Sequence, residues 1–264
     1  MKTVTSKDGT TIAYDQYGTG PAVILVDGAL QYRAFDQGHK QLAELLAPHF
    51  TVVHYDRRGR GDSTDTQPYA VAREIEDIEA LIDAVGGSAS LHGISSGAVL
   101  AMDAAIALDS KVNKLSMYEA PCNDEEQSKQ TWREYIKNLT AALAENRNGD
   151  ALALFMKLTG APDEAIQQFR GDPMWQLFEA VAPTMAYDHT AIIGEDGSVP
   201  VDRARRVPVP TLVMNGGASY PFMHDTAVKL ANAIPNAQHR VLEGQSHEVA
   251  AEALAPVLIE FFNA

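Results

Sequence analysis

The sequence predicts an α/β fold: a mostly parallel, twisted sheet with helices on both faces and a helical insertion at one edge. Strand-like and helix-like signals alternate from Thr10 to Tyr118. They give way to a nearly all-helical stretch from about Cys122 to Arg206, and the alternation resumes at Thr211. Alternation of this kind implies parallel strands joined by crossover helices. The expected layout is therefore a core of residues 1–121 and 207–264 interrupted by an insertion over 122–206.

Each element has a local reason. Thr10–Tyr14 follows the turn signal Asp8-Gly9 and reads as a strand. Gly18-Thr19-Gly20-Pro21 breaks the chain before Ala22–Val26, an unbroken apolar run suited to a buried strand. His39–Leu46 carries apolar residues at helical spacing and stops before Pro48. Thr51–Tyr55 is the next strand. Over Val71–Val85, Val71, Ile75, Ile78, Leu81, Ile82 and Val85 share one helix face, and Gly86-Gly87 ends it. Ser88–Leu91 and Lys114–Tyr118 read as strands, with a helix over Ala98–Leu108 between them. Helices are expected at Ser128–Leu143, Asp150–Leu158, Glu164–Arg170 and Met174–Ala180, punctuated by Pro162, Pro173, Pro183 and Pro200. Thr211–Met214 and Gln238–Leu242 complete the strands, with helices over Thr226–Ala233 and Glu248–Phe262.

Composition narrows the class. The chain has 264 residues, 45% apolar and 21% charged, which excludes collagen-like, disulfide-scaffold and disordered proteins. Lys and Arg number 21 against 35 Asp and Glu, a net charge of −14 that disfavours phosphate backbones as partners. One cysteine, Cys122, precludes an internal disulfide and fits a reducing compartment. The N-terminus lacks the apolar run of a signal peptide, and no apolar run is long enough for a bilayer. A cytoplasmic protein is expected, with no nucleic-acid or membrane partner.

Ligands of such folds bind at the carboxyl ends of the strands, so the residues following each strand carry the functional question. Gly93-Ile94-Ser95-Ser96-Gly97 matches G-x-S-x-G. By composition alone that pattern arises in roughly one chain in ten of this length. Here it joins an apolar strand to an apolar helix, the strand-to-helix turn that a nucleophile elbow requires. Ser95 is the expected nucleophile. A serine hydroxyl needs a base, and His247, between the last strand and the last helix, is the expected one.

Taken together these residues resemble the α/β-hydrolase superfamily over nearly the whole chain. Tyr55-Asp56-Arg57-Arg58-Gly59-Arg60-Gly61-Asp62-Ser63 is similar to the loop after the family's fourth strand, and Val26-Asp27-Gly28-Ala29 sits where the family carries its oxyanion loop. The resemblance implies backbone N–H donors from Ser96 and from Gly28 or Ala29. The family's commonest acid position, after the next-to-last strand, here reads Asn215-Gly216-Gly217-Ala218-Ser219-Tyr220-Pro221, without a carboxylate. Its other position, after the sixth strand, reads Met117-Tyr118-Glu119-Ala120-Pro121, similar to zearalenone-type lactonases and, in acid placement only, haloalkane dehalogenases. Glu119 is the expected orienting acid. Asp225, or a structural pairing of Glu119 with Arg57 and Arg58, is the alternative. Many members carry His where Asp27 stands; Asp27 is expected either to point away and bond backbone or to contact a substrate hydroxyl.

The resemblance gives the insertion the place of a helical cap. Its apolar residues Trp132, Phe155, Met156, Trp175 and Met185, together with Leu30 and Tyr220, are the expected substrate wall. Cys122 is expected to be a small buried hydrophobe, with a place near the pocket as the alternative. The expected activity is hydrolysis of a hydrophobic carboxylic ester or lactone through an acyl-enzyme, with no metal or organic cofactor and a small-molecule partner. A homodimer is left open. The alternatives are C–C or amide hydrolysis, haloperoxidase-like chemistry on the same triad, and a non-enzymatic ligand-binding homologue.

Overall fold

The structure, a computed structural model, describes residues 1–264. The chain runs β1 (Lys2–Thr5), β2 (Thr11–Tyr17), β3 (Ala22–Val26), α1 (Gln37–Leu46), β4 (Thr51–Tyr55), α2 (Val71–Ala84), β5 (Ala89–Ile94), α3 (Ser96–Leu108) and β6 (Val112–Tyr118). The insertion follows: α4 (Glu126–Ala144), α5 (Asn148–Leu158), α6 (Asp163–Phe169), α7 (Pro173–Val181), a 3-10 turn, a π-helix over Ala186–Ile193, and α8 (Val201–Ala204). It closes with β7 (Thr211–Gly216), α9 (Pro221–Ala233), β8 (Ala237–Leu242) and α10 (Ala251–Asn263).

The eight strands form one sheet in the order β1-β2-β4-β3-β5-β6-β7-β8. β1 and β2 pair antiparallel; from β4 to β8 every pairing is parallel. This is the α/β-hydrolase fold. β3 is buried along its whole length because both faces are covered. Ile24 and Val26 pack towards α2, α3 and α9, while Val23 and Leu25 pack towards α1 and α10. A third apolar cluster lies inside the insertion and takes in only Leu30 and Tyr32 from the core.

Two local expectations are corrected. β1 gave no strand signal, because Val4 is the only apolar residue in Lys2–Thr5 and the strand is a half-exposed edge. The last helix starts at Ala251 rather than Glu248: His247 and Glu248 form a bend, and Ala250 caps the helix in an extended conformation with its N–H donating to Gln245 Oε1 (3.0 Å).

Candidate active site

Ser95 sits between β5 and α3 with φ 57° and ψ −130°. A non-glycine residue in this region carries strain on the order of 1–3 kcal/mol. The surroundings enforce it. A Cβ on Gly97 would strike the carbonyls of Val26 and Asp27, and one on Gly93 would strike the Gly97 carbonyl. Glycine at 97 lets α3 begin this close to β3, and glycine at 93 lets the start of α3 lie against β5. The Ser95 N–H donates to the Tyr118 carbonyl (2.9 Å), extending the β5–β6 ladder to the elbow.

Glu119 follows β6 directly, also at positive φ (47°), and its N–H donates to the Met214 carbonyl (3.0 Å). Its carboxylate is buried and fully engaged. Oε1 accepts from the Gly216 N–H (2.8 Å); Oε2 accepts from Ser219 Oγ (2.9 Å) and pairs with His247 Nδ1 (2.7 Å). No bond reaches Arg57 or Arg58, which pair instead with Glu74 and Asp188, and with Asp8 and Asp77. Asp225 is exposed on α9. The His247 loop is pinned by Tyr118, whose OH donates to the Ser246 carbonyl (2.5 Å). The His247 side chain is 36% exposed, so the ring nitrogen opposite Glu119 is open to a ligand. Ser95 Oγ makes no hydrogen bond within the protein.

The oxyanion donors separate. The Gly28 N–H is taken by Gln31 Oε1 (2.7 Å). The N–H groups of Ser96 and Ala29 have no acceptor in the protein. Two free backbone donors beside a helix N-terminus form a site for developing negative charge.

Asp27 meets neither expectation. It is completely buried and bonds two imidazoles, His39 through Nδ1 and His54 through Nε2 (3.0 Å). Burial alone would raise its pKa, but His54 and His39 outweigh burial and hold the carboxyl far below its usual range. His39 answers in the opposite sense: burial would lower it, yet Asp27 raises it. Asp27, His39 and His54 are close enough to share a cation. Their facing atoms are already engaged with one another in hydrogen bonds, so the group reads as a buried support for the β3 end.

Of the expected wall residues, Leu30, Trp132, Phe155, Met156, Trp175 and Met185 fall in one cluster. Met185 has no exposed surface, so its part is packing rather than contact with a ligand. Trp175 is also turned inward, its Nε1 donating to Glu179 Oε2 (2.9 Å) beneath the Arg170 guanidinium. Tyr220 stands apart, 55% exposed at the start of α9. Cys122 is fully buried, and burial pushes its thiol up to about 12. A cleft of about 280 Å³ opens on the other side of the site, between α1 and α10. Ile94 and Glu248, the chain neighbours of Ser95 and His247, line it with Phe35, Leu42 and Val249.

Several residues were not foreseen: Gln31, Ser219, His39, His54, Arg60 and Asp188, nor was the pairing of Arg57 with Asp188. One signal was present for Asp188: no other Asp, Glu, Lys or Arg stands between Glu179 and Glu195. His189 beside it is buried against Trp132, Tyr135 and Phe155, and its Nδ1 is hydrogen-bonded to Tyr135 OH (2.7 Å). Burial, with Arg60 and Arg57 adding to it against Asp188, lowers His189 to about 4.

Known proteins share this arrangement of elements. A solved α/β hydrolase from Sphaerobacter thermophilus DSM 20745 is 50% identical, with a TM-score of 0.88 over 99% of this chain and 100% of that one. The enol-lactonase from Burkholderia xenovorans LB400 is 20% identical, with a TM-score of 0.71 over the whole of both chains. The uncharacterized hydrolase YraK of Bacillus subtilis (strain 168) is 33% identical over 115 residues, which span 42% of this chain and 41% of that protein. The family model described as "Alpha/beta hydrolase family" matches residues 18–257. With the sheet order and the strained elbow, that match makes the chain a member of the α/β-hydrolase family.

Proposed function

We propose that the protein is a serine hydrolase acting on a carboxylic ester or lactone of a hydrophobic small molecule. The observation that carries this reading is the convergence at one sheet edge of the strained Ser95, the Glu119–His247 pair at 2.7 Å, and the free N–H groups of Ser96 and Ala29. The likeness to an enol-lactonase adds support for a ring ester.

The steps follow from the groups present. Ser95 Oγ attacks the carbonyl carbon while its proton passes to His247 Nε2. Glu119 holds the imidazole by Nδ1–H and stabilises the imidazolium. The oxyanion forms against the Ser96 and Ala29 amides. When it collapses, the C–O bond to the alkoxide breaks and His247 returns the proton to that oxygen; in a lactone the new hydroxyl stays tethered to the acyl group. Water, deprotonated by His247, then attacks the ester on Ser95; the bond to Oγ breaks, His247 returns the proton to Oγ, and the acid is released. The helical insertion acts as a cap that covers the acyl-enzyme, and an apolar substrate suits a site bordered by Leu30, Trp132 and Phe155 on one side and Phe35, Leu42 and Ile94 on the other.

The test is intact-mass labelling with a fluorophosphonate. One adduct is expected on the wild type and none on Ser95→Ala, followed by turnover of aryl esters or lactones. A wild-type protein that neither labels nor hydrolyses any of them defeats the reading.

A further inference from the structure

We propose that Asp188, which belongs to the helical insertion, is a positioning residue for the oxyanion site, so that seating of the insertion and competence of Ser95 are one event. The proposal rests on the serine-hydrolase reading above. Asp188 lies on the π-helix and is fully buried. Its Oδ1 accepts from Ser96 Oγ (2.7 Å) and Arg57 Nη1 (2.5 Å), and its Oδ2 pairs with Arg60. Three groups of the core thus meet one carboxylate of the insertion.

Both arginines reach further, into the oxyanion loop. Arg57 Nη1 also donates to the Asp27 carbonyl (3.1 Å), and Arg60 Nη1 to the Gly28 carbonyl (2.5 Å). The Gly28 carbonyl and the Ala29 N–H belong to one planar trans peptide, so they point in opposite directions. Holding that carbonyl on Arg60 therefore aims the Ala29 N–H away from the arginine, as one of the two free donors of the site. The other donor, the Ser96 N–H, sits on the residue whose hydroxyl Asp188 holds.

Asp188 is what lets the two guanidiniums stay. Arg57 and Arg60 are buried side by side and repel. Glu74 binds Arg57 through both nitrogens of its fork, but Asp188 is the only carboxylate bonded to Arg60. Without the Asp188 charge, Arg60 is a buried cation with no ion partner. Its hold on the Gly28 carbonyl is then the bond that yields, and the Ala29 N–H loses its aim.

The test compares Asp188→Asn and Arg60→Lys with the wild type. Fold is checked by circular dichroism and thermal melting. The readouts are kcat and KM for an aryl acetate, and the rate constant of fluorophosphonate labelling. Losing one oxyanion donor costs about 10²–10³ in kcat, so a misaimed donor is expected to cost about 10- to 100-fold. That loss should appear in both kcat and labelling rate, with KM changed less than about threefold. A purely structural role lowers the melting temperature and leaves kcat of the folded enzyme alone. Should Asp188→Asn fail to fold, Arg60→Lys keeps the charge pair but loses the fork to Gly28, and the same kcat signature is expected. A folded variant of either kind that labels at the wild-type rate overturns the proposal while leaving the hydrolase reading intact. A wild type that never labels removes both.

Discussion

Glu119 shows how much one side chain can decide. Its two oxygens make three hydrogen bonds or pairings, to Gly216, Ser219 and His247, and in the proposed mechanism it is the one to His247 that bears on reactivity. In Glu119→Gln the amide cannot stabilise an imidazolium, and it offers a donor where an acceptor is needed. We expect kcat to fall by about 10³- to 10⁴-fold, with Asp225→Asn within twofold of wild type in the same steady-state assay. Equal losses in the two variants would move the acid to α9. At this scale the triad candidates were legible, because a serine between glycines, a carboxylate directly after a strand and a histidine before a helix are local patterns. Gln31, Arg60 and Asp188 were not, since their meaning lies in partners 3, 32 and 128 residues away.

At the level of elements, the β5–α3 elbow is a close-packed joint. Gly97 faces the backbone carbonyls at the end of β3, so Gly97→Ala forces helix and strand apart. Overpacking of this kind costs about 1–3 kcal/mol. A melting temperature lowered by several degrees, with fluorophosphonate labelling abolished, is the expected result; wild-type labelling would show that the elbow tolerates the extra carbon. The helices of regular period were readable from their apolar spacing, and the long apolar strands from their runs. The π-helix that delivers Asp188 was not, because its widened turns break the 3.6-residue spacing. β1 was missed for want of any pattern: one valine among lysine and threonines on an edge.

Across the whole molecule, pH acts through buried imidazoles. Burial lowers His92 to about 3, with the charge on His39 adding to it, and His189 lies at about 4. Both stay neutral in the fold while the unfolded chain takes up protons below about 6.5. The unfolded state then binds more protons, so stability falls as pH drops from 6.5 towards 4. His39 works the other way: raised by Asp27, it adds stability below 6.5 that fades as pH rises through its folded value. Two groups against one leave a net loss on acidification. Below about 4, Asp188 joins them, lowered to about 2 by Arg57, Arg60, His189 and Ser96 despite its burial. Thermal melts between pH 7 and 4.5 should show a falling midpoint, and the slope should be shallower in His189→Gln; a flat profile would mean that His39 balances the other two. The fold class was legible from alternation alone. The strand order was not, since no local signal states that β3 lies between β4 and β5.

One buried atom has a consequence of another kind. The single thiol, Cys122, is sealed where the insertion leaves the core, its carbonyl held by Thr226 Oγ1 and its sulfur kept protonated. Folded copies therefore present no thiol to oxidants or to one another. Disulfide-linked dimers in an aged preparation are then a chemical record of molecules that had once come apart at that seam.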